Sequence, residues 1–307
     1  MNKKNILVTG GSGFIGSHLV DLLYSEGHKV FVLDNLSTGV ESNENEAVTY
    51  LHFDLTSFID NPIEIQNILA ENKIEVVYHL AASADVSLSL KEPESFFNNN
   101  LLSSISLVNA CSKAKVAKLI FASTSAVFGE PDYLPVNEDH KINPISPYGL
   151  TKLGCEQYMK YFSSISNLSF ITFRLPNVYG PRQRQDLEGG VVAIFNSLME
   201  KNGEIRIFGD GNQTRDWVHV EDIVLGFYKA LDYQKSYDMF LLGSSTTTRL
   251  IDLYHSLAKI KKYKKQPIYT EARLGDIKHM VMSHNKIKDA LNWQPLIKLE
   301  DGLKKLD

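Results

Sequence analysis

Cysteine is scarce in this chain, long apolar runs are missing, and so is any excess of positive charge. Only Cys111 and Cys155 occur among 307 residues. They are too few and too isolated for a disulfide framework or a thiolate metal centre, so both read as buried, reduced thiols, and no metal is expected. No segment reaches the roughly 18 apolar residues that a bilayer-spanning helix needs. After Lys3 and Lys4 the chain turns at once into a short apolar run and a glycine cluster, where a secretory leader would carry a longer apolar core. The expected location is cytoplasmic, with no membrane partner. Lys and Arg number 32 against 36 Asp and Glu, a net charge of −4. With no basic surface implied, no nucleic-acid partner is expected.

With 43% hydrophobic and 22% charged residues, the composition is that of a globular enzyme and excludes disordered, collagen-like and coiled-coil chains. At roughly 100 to 200 residues per domain, the length suggests about two domains. In the first half, short β-branched runs at 5–9, 29–33, 48–53, 75–80, 118–123 and 169–174 alternate with helix-like stretches at 14–25, 62–72, 93–114 and 147–164. Strand-helix alternation of this kind builds parallel βαβ units. The fold class expected is α/β: a Rossmann-type doubly wound parallel sheet over residues 1–175, with a smaller α/β C-terminal substrate domain over 176–307. A segment around 216–242 is allowed to pack back on the first domain.

The run 5–9 leads directly into Gly10-Gly11-Ser12-Gly13-Phe14-Ile15-Gly16 and then a helix. Such a turn lets backbone approach a pyrophosphate, and the helix N-terminus offers free N–H groups and a favourable dipole. The second strand ends at Asp34, 18 residues beyond Gly16. A carboxylate there accepts from both ribose hydroxyls of adenosine and repels a 2′-phosphate, which favours NAD over NADP. Asp54-Leu55 follows the third strand, where a carboxylate could take an adenine amino group or cap a helix.

Tyr148 and Lys152 are four residues apart, which puts both on one helix face. An ammonium beside a phenol stabilises the phenolate and makes a usable base. The fifth strand ends in Ser123-Thr124-Ser125-Ala126. The carboxyl ends of strands are where ligands bind in an open α/β sheet, so a hydroxyl there can bond a reacting alcohol.

The Gly-x-x-Gly-x-x-Gly spacing and the Tyr-x-x-x-Lys pair together resemble the short-chain dehydrogenase/reductases in their extended branch, the NAD-dependent epimerases and dehydratases. The 4,6-dehydratases of that branch carry an Asp-Glu pair after the strand-end hydroxyl, and the decarboxylases carry a glutamate at the position of Ala126; this chain has Ser125-Ala126. What remains resembles the UDP-hexose 4-epimerases across essentially the whole chain. Asp34-Asn35-Leu36-Ser37-Thr38-Gly39, His79-Leu80-Ala81-Ala82 and Arg174-Leu175-Pro176-Asn177-Val178-Tyr179-Gly180-Pro181 carry the match.

The resemblance implies catalytic roles for Thr124, Tyr148 and Lys152. It implies NAD contacts at Gly10, Gly13, Phe14, Ile15, Gly16, Asp34, Asn35, Ser37, Thr38, Gly39, Asp54, Leu55, Leu80, Ala81, Ala82, Asn99, Ser123, Tyr148, Lys152 and Pro176. A nucleotide-diphosphate sugar would touch Thr124, Tyr148, Asn177, Val191, Ile207, Arg215, Arg273 and Met280, the two arginines forking onto the diphosphate. The expected reaction inverts C4 of a UDP-hexose through transient oxidation to a 4-ketone. Several positions depart from the family pattern: Leu175-Pro176 stands where an aromatic pair is frequent, Ala84 where some members have lysine, and Met280 where residue size governs room for an N-acetyl group. Another nucleotide-sugar enzyme, either a dehydratase or a 4-ketosugar reductase, and a non-catalytic NAD-binding protein are the alternatives. Relatives pair through helices matching 93–114 and 147–164, which implies a homodimer.

Overall fold

A computed structural model describes residues 2–186, 190–272 and 277–306. In chain order the first half contains β1 (Asn5–Thr9), α1 (Phe14–Ser25), β2 (Lys29–Asp34), β3 (Thr49–His52), α2 (Ser57–Asp60), α3 (Pro62–Glu71), β4 (Val76–His79), α4 (Val86–Lys91), α5 (Pro93–Phe96), α6 (Ser103–Lys113), β5 (Lys118–Thr124), α7 (Pro147–Ser163) and β6 (Ser169–Leu175). The second half contains β7 (Asn177–Tyr179), α8 (Val191–Glu200), β8 (Arg206–Phe208), β9 (Thr214–Arg215), β10 (Trp217–His219), α9 (Val220–Lys229), β11 (Tyr237–Leu241), β12 (Thr248–Arg249), α10 (Leu250–Ile260), β13 (Ile268–Thr270), α11 (Asn285–Leu291) and α12 (Leu299–Leu303).

Seven strands form one sheet in the order β11-β6-β5-β4-β1-β2-β3, every pair parallel. The order reverses between β1 and β4, and that switch point opens a crevice at the strands' carboxyl ends. Side chains alternate across the sheet because successive Cβ atoms of a strand point to opposite faces. Ile6 and Val8 join Leu19, Leu23, Ile223 and Phe227 in a core under α1 and α9. Leu7, on the other face, joins Ile65, Leu69, Leu107 and Met159 under α3, α6 and α7. Each such fully buried side chain contributes about 1.5–3 kcal/mol relative to exposure.

The edge strand β11 comes from late in the chain and pairs with β6, and α9 packs against α1. Segment 220–241 thus returns to the seven-stranded sheet. A separate cluster of Phe195, Ile205, Ile207, Leu253 and Leu257 holds α8 and α10 together. Short ladders β7–β10, β9–β12 and β8–β13 connect that unit.

One expectation is corrected. The stretch 93–114 is not a single helix: a π-helical segment, Phe97–Leu102, separates α5 from α6. Asn98, Asn99 and Asn100 are poor helix formers. Asn100 is fully engaged elsewhere: its Oδ1 accepts from Ser83 N at 2.8 Å, and its Nδ2 donates to Ser83 O at 2.9 Å and Thr151 Oγ1 at 3.3 Å. These bonds fasten the loop after β4 to α7.

Candidate active site

The glycine turn is built for close approach. A Cβ on Gly16 would sit 1.9 Å from Gly10 O, so no side chain fits there without unwinding the turn. At Gly13 only Gly10 O lies within reach of such an atom, at 3.2 Å, which leaves the outer face open. Gly13 is the N-cap of α1, and no side chain caps the helix and no acidic residue lies in its first turn. Its backbone N–H groups are available to an anion, as a dinucleotide pyrophosphate requires.

Asp34 is buried at the end of β2, its carboxylate accepting from Ser12 N at 3.0 Å and Leu36 N at 2.9 Å. Asn35 donates to Asp54 at 2.9 Å and accepts from Ser37. Partial burial pushes the Asp54 carboxyl up, but hydrogen bonds from Thr56 and Asn35 outweigh it and hold the group below its usual value. Asp54 thus closes a local turn at Thr56 without capping the helix that follows, and remains exposed beside Asn35. Gly39 is packed against Ser12 and Asp34. Leu55 is in the core. Ala81 N donates to Thr9 Oγ1 at 3.3 Å, holding the 80–82 backbone along the glycine turn. Asn99 bonds Ser83 Oγ at 3.3 Å. A segment from beyond β7 reaches this end: Pro181 O accepts from His18 Nε2 at 3.0 Å, Arg182 pairs with Asp21 at 2.8 Å, and Arg184 donates to Thr38 O at 3.2 Å.

Thr124 is the last residue of β5, and its Oγ1 accepts from Ala126 N at 3.2 Å as the chain turns. Helix α7 begins beside that turn: Ser146 caps it through Gly149 N at 3.1 Å, Pro147 takes the first position, and a Cβ on Gly149 would lie 2.7 Å from Ala126 O. Gly149 therefore lets the start of α7, with Tyr148, lie against the residues following Thr124. One turn on, buried Lys152 donates to Ala122 O at 2.9 Å and lies 4.8 Å from the Phe121 ring. His79 stands next to this layer, its ring 5.5 Å from that of Phe121 and bonded to Thr9 and Ser104 at 2.7 and 2.8 Å. Burial, aided by the Lys152 charge, pushes His79 down to about 3, so it is neutral at Lys152's side.

Ser123 does not offer a free hydroxyl: it donates to Glu156, which forms a fork with Arg174 at 3.0 and 2.7 Å. All three are buried. The network ties β5, α7 and β6 together directly beneath Thr124.

A cleft of about 170 Å³ gathers Phe14, Ile15, Ser123, Thr124, Tyr148, Pro176, Asn177 and Val191. Residues expected from both the cofactor and the substrate sets thus meet in one cleft. Gln183 and Trp217 line it too, and neither stood out in the sequence, since only the fold brings them to the cleft. Ile207 and Met280 have core side chains, the former among Phe195 and Leu253 and the latter among Val127, Phe128 and Met282. Arg215 lies elsewhere, its guanidinium donating to Thr214 O and Lys278 O at 3.0 and 3.3 Å. Lys278 lines a second cavity of about 430 Å³ with Phe208, Gln213 and His279. Arg273 falls outside the described residues.

The glycine turn on a parallel seven-stranded sheet, Asp34 at the end of β2 and the Tyr148–Lys152 helix beside Thr124 define an extended short-chain dehydrogenase/reductase. The family model of NAD-dependent epimerases and dehydratases matches residues 6–243. The chain is 37% identical over 303 residues to a putative UDP-glucose 4-epimerase of Methanocaldococcus jannaschii, covering 98% of this chain and 96% of the relative. It superposes with a TM-score of 0.94 and 38% identity on the UDP-glucose 4-epimerase of Thermotoga maritima solved with UDP-glucose, covering 98% of this chain and 96% of that one. A UDP-N-acetylglucosamine 4-epimerase from Methanobrevibacter ruminantium, in complex with UDP-N-acetylmuramic acid, superposes with a TM-score of 0.92 and 33% identity, covering 99% and 97%. The chain belongs to the NAD-dependent epimerase/dehydratase family, as an epimerase-type enzyme whose cofactor is NAD.

Proposed function

We propose that this protein interconverts the C4 epimers of a UDP-linked hexose. The observation that carries the reading is the single cleft shared by Thr124, Tyr148, Phe14, Ile15, Asn177 and Val191. Tyr148, as phenolate, takes the proton from the sugar 4-hydroxyl, and Thr124 bonds the same oxygen. Lys152 keeps the phenolate anionic and holds the nicotinamide ribose. Bound NAD supplies the hydride acceptor and donor at C4. Asn177, which lines the same cleft, holds the diphosphate while the 4-ketosugar turns to present its other face. Tyr148 then returns the proton, and no net oxidation results.

Ser125-Ala126 after Thr124 favours epimerisation over dehydration, because elimination of water needs an acid and a base at that spot and neither side chain is one. The NAD-binding unit is assigned to 1–175 and the nucleotide-sugar unit to 176–307, with the segment around 216–242 packing back on the first unit, in a cytoplasmic homodimer. Leu150 and Tyr161 on α7 are 60% and 64% exposed, and such apolar exposure on one helix fits a surface that a second copy covers. The test is incubation with UDP-glucose, UDP-galactose and their N-acetyl counterparts without added cofactor. Interconversion of a C4 pair, abolished by Tyr148→Phe, supports the reading. A product lighter by one water, or strict dependence on added NADH, contradicts it.

A further inference from the structure

Two buried polar atoms in residues lining the cleft have no hydrogen-bond partner among the described residues: Nε1 of Trp217 and Oε1 of Gln183. Buried polar groups in folded proteins are almost always bonded, so each exception requires a reason. Neither side chain is loosely placed. Trp217 is 8% exposed and is the register partner of Asn177 in the parallel β7–β10 ladder, so its side chain leaves the same face as that of Asn177, another cleft residue. Gln183 is anchored by Nε2, which donates to Val178 O at 3.1 Å. Its amide also packs over Gly190, where a Cβ would come within 2.5 Å of Nε2. That anchoring leaves Oε1 without a donor.

The two orphans are complementary, one an N–H donor and the other an amide acceptor. They come from β10 and from the loop after β7, whereas Thr124 and Tyr148 come from β5 and α7. A hexose carries hydroxyls around its ring, each able both to accept and to donate. We propose that Trp217 and Gln183 are sugar-positioning contacts: the indole N–H donates to one hydroxyl oxygen of the nucleotide-linked hexose, and Gln183 Oε1 accepts from another hydroxyl. They complete their own hydrogen bonding only when the sugar is bound and steady the ring while its 4-position faces Thr124 and Tyr148. This inference rests on the UDP-hexose reading above.

The test uses the full-length, NAD-loaded protein and calorimetric titration with UDP-glucose, UDP-galactose and plain UDP. Trp217→Phe and Gln183→Met are each expected to weaken UDP-hexose binding and raise its KM about tenfold, the effect of one lost hydrogen bond to ligand. Binding of UDP, which has no sugar to contact, stays within about twofold. The comparison of UDP with UDP-hexose separates a lost sugar contact from any general loosening of the core around Trp217; if Trp217→Phe fails to fold, Gln183→Met gives the same readout. Unchanged UDP-hexose affinity in the folded variants, or equal losses for UDP and UDP-hexose, overturns the proposal while leaving epimerisation by wild type intact. Failure of wild type to bind or interconvert any UDP-hexose overturns both this inference and the reading beneath it.

Discussion

Lys152 Nζ donates to the carbonyl of Ala122 at 2.9 Å, which ties α7 to the strand that ends two residues later at Thr124. The ammonium is buried, so its charge acts on its neighbours with little screening. Lys152→Met is therefore expected to lower kcat by about 100- to 10,000-fold, the range for loss of a general base's function, and to narrow the activity range to higher pH. Steady-state rates across pH check this, with circular dichroism confirming an intact fold.

Glu156 and Arg174 form a forked ion pair in which each side chain is 2% exposed. Removing one partner strands the other charge in the interior. Arg174→Met is expected to destabilise the protein by about 3–5 kcal/mol. The double variant Glu156→Gln/Arg174→Met should recover part of that loss, which a double-mutant cycle in urea would measure.

His79 is neutral when folded and protonates only near pH 3, whereas an unfolded histidine titrates near 6.5. Below about pH 6.5 the unfolded chain gains a proton that the folded one does not, so stability falls as pH falls, by about 1.4 kcal/mol per unit until near the folded value. His79→Asn, able to bond Thr9 and Ser104, lacks this loss. Its stability relative to wild type should improve steadily between pH 6.5 and 5; a constant difference would contradict the assignment.

Arg184 reaches Thr38 O at 3.2 Å, and Arg182 pairs with Asp21 on α1 at 2.8 Å. These contacts fasten the segment after β7 to the two elements expected to carry the dinucleotide. Arg184→Ala is expected to leave the fold intact and to raise the fraction of purified protein lacking NAD, read by absorbance and by fluorescence on reduction. Equal NAD content in variant and wild type would count against that role.

Much of the sheet was legible because its strands are apolar runs punctuated by glycine and proline. The limits of α1 match the expected 14–25 because its apolar face repeats cleanly between a glycine turn and Gly27. The π-helical break at Phe97–Leu102 was not legible, since it depends on Asn100 bonding a loop distant in sequence. The two- and three-residue strands β7, β9 and β10 were hidden for the same reason: nothing local stabilises them, and only pairing with remote segments defines them. In the site, motif spacing pointed to Thr124, Tyr148 and Asn177, which share a cleft. It could not show that Ser123 is engaged by Glu156, that Met280 is packed in the core, or that Trp217 Nε1 lacks a partner, because each is a statement about contacts.

The most direct test of the central claim is the reaction of purified protein, with no cofactor added, on UDP-galactose and separately on UDP-glucose, followed by separation of the products. The account predicts that both reactions approach the same mixture of the two sugars, with no change in mass and no net NADH, and that Tyr148→Phe halts both. Absence of the C4 epimer from either direction, or a product differing in mass from its substrate, would contradict it.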